Sequence, residues 1–290
     1  MNQNNILLGE EFKPLDKGTS PILYMSKINT LFSCPMRYWW IHHAHFIPKS
    51  KNQNMLWGSD FHEKAAVAAV HGWGVAQAEI LAENWEESKK EEMSLMLGML
   101  QDKMEEEGLD RFIDVEQTAL IPISTSPFFK DWTTKSDHIG VYKSNVWNGE
   151  LKTTSGYGAA TASYYHNSMQ TLHYFHYVKS VHPEVRGTKL FVVVRAKKEP
   201  RVAVEDIILT KDQMTQAEMF RNHALAFADR VESESFFPRF MTKCHTVKEG
   251  ECAFKPICFV KNEEYRDRWI PELFDVRSPD EHLGLGTDLT

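Results

Sequence analysis

The stretch Lys135-Ser136-Asp137-His138-Ile139-Gly140-Val141-Tyr142, resumed at Val146-Trp147-Asn148-Gly149-Glu150-Leu151-Lys152, decides how this chain is read. Asp137–Tyr142 alternates, and Val146–Leu151 is low in charge and rich in strand-forming residues, so both are expected to be β-strands. The thirteen residues from Asp137 to Glu150 suit a hairpin. If the two strands pair, Asp137 at the start of one comes near Glu150 on the other. A two-residue step puts Lys152 on the same strand face as Glu150.

Those residue types suit one chemistry. Hydrolysis of a phosphodiester calls for hard oxygen ligands to hold Mg²⁺ or Mn²⁺, and for a metal-activated water as nucleophile. A nearby ammonium orients that water and offsets charge building on the phosphorus centre. The backbone carbonyl of Leu151 is a further candidate ligand. An isolated Glu-x-Lys step, however, is ordinarily a solvent-facing pair. The assignment therefore needs support from elsewhere in the chain.

Moving outward, residues 1–20 read as a loose arm and Met25–His45 as an aromatic-rich helix with Ser26 as its N-cap. Residues 58–107 are helical, broken into two helices by His71-Gly72-Trp73-Gly74. Val115–Ile123 is expected to be a strand, Thr161–Val178 a helix, Lys189–Arg195 a buried strand, Val202–Leu209 a strand and Lys211–Val231 a helix. The order is that of an α/β (α+β) protein: a mixed sheet core flanked by helices, a helical N-terminal region and a C-terminal cysteine-bearing segment. The expected division is a single domain over 21–260, comprising a helical part 21–110, a core 111–215 and a C-terminal helix and cysteine segment 216–260. Residues 261–290 read as a polar tail.

The chain has 290 residues and a net charge of −7, from 33 Lys and Arg against 40 Asp and Glu. That excludes a broadly basic nucleic-acid coat; phosphate must be held locally. There is no apolar run of membrane-span length and no signal-peptide pattern at the N-terminus, which points to a cytoplasmic protein. Phosphate-binding and dinucleotide-binding glycine motifs are absent, so no built-in NTPase is expected. Arg37, Arg195, Lys197 and Lys198 are candidate phosphate contacts. His42, His43 and His45 read as a polar helix end.

Four cysteines, Cys34, Cys244, Cys252 and Cys258, stand one near the N-terminus and three close together near the C-terminus. Four thiolates suit a [4Fe–4S] cluster or structural Zn²⁺, provided the chain ends meet. Four unrelated buried thiols are the alternative.

Gly58-x₃-His62, Asp137, Glu150-x-Lys152 and Gln170-x₃-Tyr174, in that order, resemble the RecB-like branch of the PD-(D/E)xK nucleases. The resemblance spans about Ser26 to Cys258 and implies a restriction-endonuclease-like fold. It implies metal-ligand roles for His62, Asp137 and Glu150, with the Leu151 carbonyl, and a catalytic role for Lys152. Gln170 and Tyr174 would be the helix pair that supports the site and contacts DNA. Cys34-Pro35-Met36-Arg37 and Cys252-x₅-Cys258 resemble the iron–sulfur members, which include the CRISPR-associated RecB-like exonucleases and the AddB nuclease domain. That implies a [4Fe–4S] cluster on Cys34, Cys244, Cys252 and Cys258, stapling the chain ends around the core, with zinc as the alternative. The function implied is a metal-dependent DNA exonuclease acting on single strands or duplex ends. Protein partners in repair, CRISPR adaptation or phage DNA processing are compatible with it. Two other readings stay open at this point: a nuclease-fold DNA-binding or complex subunit without activity, and a zinc-stabilised DNA-processing protein.

Overall fold

The computed structural model describes residues 21–49, 53–116, 118–155, 164–165, 168–196, 199–235, 237, 245–246, 250–260 and 263–276. The chain folds as two units, one made of residues 1–51, 121–132 and 223–290, the other of residues 52–120 and 133–222. The expected loose arm over residues 1–20 lies outside the described residues.

In the first unit, β1 (Ile22–Leu23) leads into α1 (Met25–Ser33) and α2 (Pro35–His42). The single helix expected over Met25–His45 is thus two. Cys34 between them is extended because Pro35 excludes its predecessor from the helical region, while Pro35 itself is well placed at the first helical position. The residue capping α1 is Tyr24, not Ser26, and it offers no side-chain cap. His42, His43 and His45 are buried rather than a polar helix end. The His43 Nε2 atom lies 3.1 Å from a Glu232 carboxylate oxygen, which compensates its burial.

After helix α7 (Lys211–Glu234), strands β10 (His245–Thr246) and β11 (Gly250–Glu251) and helix α8 (Lys255–Cys258), the expected polar tail also carries structure: α9 (Glu263–Leu273) precedes β12 (Phe274–Val276). β12 pairs antiparallel with β2 (Phe46–Pro48), Phe274 opposite Pro48 and Val276 opposite Phe46. Phe46 stacks on Trp40 at 5.6 Å and on Phe274 at 5.9 Å, and Phe274 on Phe254 at 5.0 Å. Burying four aromatic rings outweighs the polarity of the surrounding segment, which is what made it read as irregular.

The second unit holds α3 (Gln53–His71), α4 (Trp73–Ala82) and α5 (Glu87–Glu106). The break at Gly72 is where the sequence puts it, with φ at 95°, open only to glycine without strain. A second break at Glu83, which is extended, makes three helices of the expected two. The strand expected over Val115–Ile123 is likewise divided, into β3 (Leu109–Val115) and β4 (Thr118–Pro122). Glu116 turns between them with a left-handed φ of 54°. β6 (His138–Tyr142) and β7 (Asn145–Thr154) form the hairpin. The helix expected from Thr161 is described as α6 (Met169–Val181), followed by β8 (Thr188–Val194) and β9 (Arg201–Ile207).

The five strands order as β3-β6-β7-β8-β9, with β7 and β8 parallel and the other neighbours antiparallel. One face buries Phe191, Val193, Leu151 and Trp147 with Phe61, Leu97 and Leu100 of the helices α3 and α5. The alternate residues of β8, Leu190, Val192 and Val194, bury on the other face. Helix α6 packs there too, through Phe175 and Val178 against Ile139. Burial on both faces explains why β8 reads as a continuous apolar run.

Across the hairpin His138 faces Gly149. The imidazole is buried, hydrogen-bonded to the Tyr142 hydroxyl at 2.8 Å, and burial lowers its pKa to about 4. It occupies the space that a side chain on Gly149 would need: a Cβ there would fall 2.0 Å from the ring. Gly149→Ala should therefore destabilise the protein by about 1–3 kcal/mol or more, as overpacked cores do, read as a lower midpoint in urea unfolding. An unchanged midpoint would show that His138 can move aside freely.

Candidate active site

Asp137 sits in the link between β5 (Asp131–Lys135) and β6, and a buried polar chain holds that link in place. The Ser136 hydroxyl donates to the Asn148 side-chain oxygen at 2.5 Å, and the Asn148 amide donates to the Thr188 hydroxyl at 3.2 Å. All three residues are buried. From β7 the Leu151 N–H donates to Asp137 Oδ2 at 2.7 Å. Leu151, expected as a carbonyl ligand, thus reaches Asp137 with its N–H.

His62 approaches from α3, its Nδ1 3.2 Å from Asp137 Oδ1. Gly58, one turn earlier, explains how the helix comes so close: a Cβ at that position would meet the Thr153 hydroxyl of β7 at 2.8 Å. Lys152 and Glu150 share a face as their spacing requires, with Nζ 2.5 Å from Oε1. Gln170, at the start of α6, directs its amide at the same Glu150 oxygen from 3.4 Å. Tyr174, one turn further on, lines the same cleft of about 760 Å³. The structure therefore brings His62, Asp137, Glu150, Lys152, Gln170 and Tyr174 together, all within the second unit.

The electrostatics separate the two carboxylates. Burial disfavours the charge on Asp137, but the His62 hydrogen bond, the His62 and Lys152 charges and the Leu151 N–H more than offset it, leaving a pKa of about 2. Glu150 is only 3 % exposed. Burial, reinforced by the Asp137 charge, pushes it up to about 7 against the pull of Lys152. Burial also works against the Lys152 ammonium, yet Glu150 and Asp137 hold its pKa above the ordinary value. Tyr174 is pushed up to about 12, by burial and by Glu150, so its hydroxyl keeps its proton.

Among the described residues, no three His, Cys, Asp or Glu side chains stand around one point able to hold a metal ion. Here His62 and Lys152 occupy the carboxylates. The donor chemistry nevertheless fits a hard divalent cation, since two carboxylates face one cleft and one of them is buried at an elevated pKa.

The described cysteines belong to the first unit. Cys34 and Cys258 are buried and Cys252 is half-buried. Cys258 accepts a hydrogen bond from the Trp40 indole N–H at 3.2 Å, so the two ends of the chain meet there. Cys244 lies outside the described residues, as do Lys197 and Lys198. Arg195 is not available as a phosphate contact: it forms a two-pronged pair with Glu92 at 3.0 and 2.8 Å and lies 3.9 Å over Trp57. Among the cleft residues that escape the sequence reading are Glu63, Glu116 and Lys135. Lys135 could have been found from its place two residues before Asp137; Glu116 carries no such signal.

The model of the PD-(D/E)XK nuclease superfamily matches residues 24–259, and the chain belongs to that superfamily. Its mixed sheet between helices is the restriction-endonuclease-like core. Among solved structures the chain is similar to a candidate exonuclease from Eubacterium rectale, with 9% identity, a TM-score of 0.49 and coverage of 83% of this chain and 94% of that one. It is also similar to SSO0001, with 16% identity, a TM-score of 0.39 and coverage of 84% and 89%. No curated protein matches it.

Asp137 supplies the hydrogen bond and the main charge that raise the His62 pKa above 6.5 against burial. In Asp137→Asn that support is lost while burial remains, so the His62 pKa should fall. An NMR titration of the ring checks this. A pKa that stays raised would mean that another group holds the proton.

Proposed function

We propose that this member of the superfamily is a metal-dependent DNA nuclease that acts as an exonuclease on single strands or duplex ends. The observation that carries the reading is the meeting of Asp137 and Glu150 in one cleft, with Lys152 bonded to Glu150. A Mg²⁺ or Mn²⁺ ion held by Asp137 and Glu150, with His62 and the Leu151 carbonyl as further ligands, supplies the Lewis acidity that phosphodiester hydrolysis needs.

The chain's own groups do the rest. Lys152, kept protonated by its carboxylate neighbours, offsets negative charge growing on the phosphate and orients the attacking water. Gln170 fixes the rotamer of Glu150. Tyr174, protonated, donates to a phosphate or sugar oxygen of the strand. Helix α3 walls the cleft and limits access to it.

We read Cys34, Cys244, Cys252 and Cys258 as ligands of a structural [4Fe–4S] cluster, with zinc as the alternative. The order of the cysteines along the chain supports this.

With Mg²⁺ or Mn²⁺ the protein should degrade linear DNA, and blocked ends or circular DNA should resist if it is an exonuclease. Asp137→Ala and Lys152→Ala should each cut the rate by about 10²-fold or more with thermal unfolding retained. Persistent degradation in both variants would refute the site. Anaerobically purified protein should be brown, absorbing near ~400 nm from thiolate-bound iron. Colourless protein containing zinc would replace the cluster with the alternative.

A further inference from the structure

The proposed chemistry occupies His62 and Lys152, so the strand must be gripped by something else. Most other buried or half-buried cations of the second unit are already committed. Arg195 is bound to Glu92, Lys64 to Glu79 and Glu83, Lys189 to Glu107 and Asp206, and Lys89 to Asp60. None of these lines the cleft. Among the described lining residues, the other ammonium is that of Lys135.

Lys135 ends β5, two residues before Asp137, and its side chain is 51% exposed. It pairs with the carboxylate of Glu116. Glu116 is held in turn by its own backbone: the φ of 54° is unfavourable for a glutamate, and its N–H donates to the Asp137 carbonyl at 2.9 Å. The pair is thus tied to Asp137 from both sides. An exposed pair of this kind contributes little to stability, so a phosphate can replace the carboxylate at small cost.

Helix α3 lines the cleft through Ser59, His62, Glu63, Ala66, Val67, Val70 and His71, at successive turns of one face. Val70 is 60% exposed. From Ser59 to Val70 this wall runs about 16 Å at ~1.5 Å per residue. The helix therefore offers apolar surface at Ala66, Val67 and Val70, suited to sugars and bases, flanked by the Glu63 carboxylate and His71, while Lys135 brings a cation beside the reacting centre. The volume, about 760 Å³, matches units of nucleotide size, not a duplex.

We infer that Lys135 is a phosphate contact for a single DNA strand running from the Asp137–Glu150 site along α3, and that Glu116 is its resident counter-charge, displaced when the strand binds. The inference rests on the nuclease reading and extends it to strand binding. In a chain of net charge −7, one local cation carries unusual weight.

The test is equilibrium binding of a fluorescein-labelled single-stranded oligonucleotide to the full chain, with Ca²⁺ replacing Mg²⁺ and the DNA checked to be intact. Lys135→Gln should weaken binding about 3–10-fold and flatten the dependence of log K on log[salt] by ~0.7, the share of one phosphate contact on a single strand. Lys135→Arg should restore both. Glu116→Gln should tighten binding, because it frees the lysine. A purely structural pair predicts the opposite for that last variant, since breaking the pair from either side would then weaken binding alike. The inference is overturned if Glu116→Gln weakens binding as Lys135→Gln does. It is equally overturned if Lys135→Gln leaves affinity and salt slope unchanged, or if the wild type binds without salt dependence. Cleavage of the same oligonucleotide in Mg²⁺, measured in parallel, separates the two readings. Absent cleavage with the binding results intact refutes the nuclease chemistry alone; cleavage with unaltered Lys135→Gln binding refutes the contact alone.

Discussion

The register between β6 and β7 is the constraint from which the site follows. With His138 opposite Gly149, the Leu151 N–H points at the Asp137 carboxylate just beyond the end of β6. Because side chains alternate with a period of two, a one-residue slip would carry Glu150 and Lys152 to the other face of the sheet and leave Asp137 without its donor. Several independent features pin that register. The imidazole of His138 fills the space over Gly149, Ser136 is hydrogen-bonded to Asn148 on the neighbouring strand, and Asn148 reaches Thr188 on the strand after that.

Once the backbone is fixed, charge organises what remains. Two carboxylates share one cleft but not one environment. Asp137 is surrounded by donors and stays ionised, whereas Glu150 is nearly dry and faces another negative charge, which raises its pKa. Such separation of two acids by their surroundings is common where carboxylates do chemistry. Each is met by a basic side chain from a different element, His62 from a helix and Lys152 from the strand itself. A chain with an acidic surplus can in this way present a locally balanced site, so its net charge says little about its substrate.

Much of this was legible in the linear chain. The hairpin, the shared face of Glu150 and Lys152, the break at Gly72 and the buried run of β8 all depend on period and local sterics, which a sequence displays directly. The order His62, Asp137, Glu150, Lys152, Gln170, Tyr174, whose members converge, was legible only through the resemblance to the PD-(D/E)xK nucleases. The misreadings share a cause. Pro35 divides a helix that its aromatic residues seemed to continue, and the ring stack of Phe46, Phe254 and Phe274 builds structure into a tail that looked polar. Arg195 looked free because Glu92 is 103 residues away.

What the sequence determined by itself was the set of strands and helices around Asp137, Glu150 and Lys152, and which side chains within each element share a face. These follow from backbone geometry over a few residues. Only the tertiary structure decided which charges are spent on one another and which remain for a ligand. Arg195 is absorbed by Glu92 and Trp57, whereas Lys135 stands at the cleft in a solvent-exposed pair with Glu116. The reason is physical: a salt bridge is set by distance and burial in space, and the separation of its partners along the chain carries no information about either.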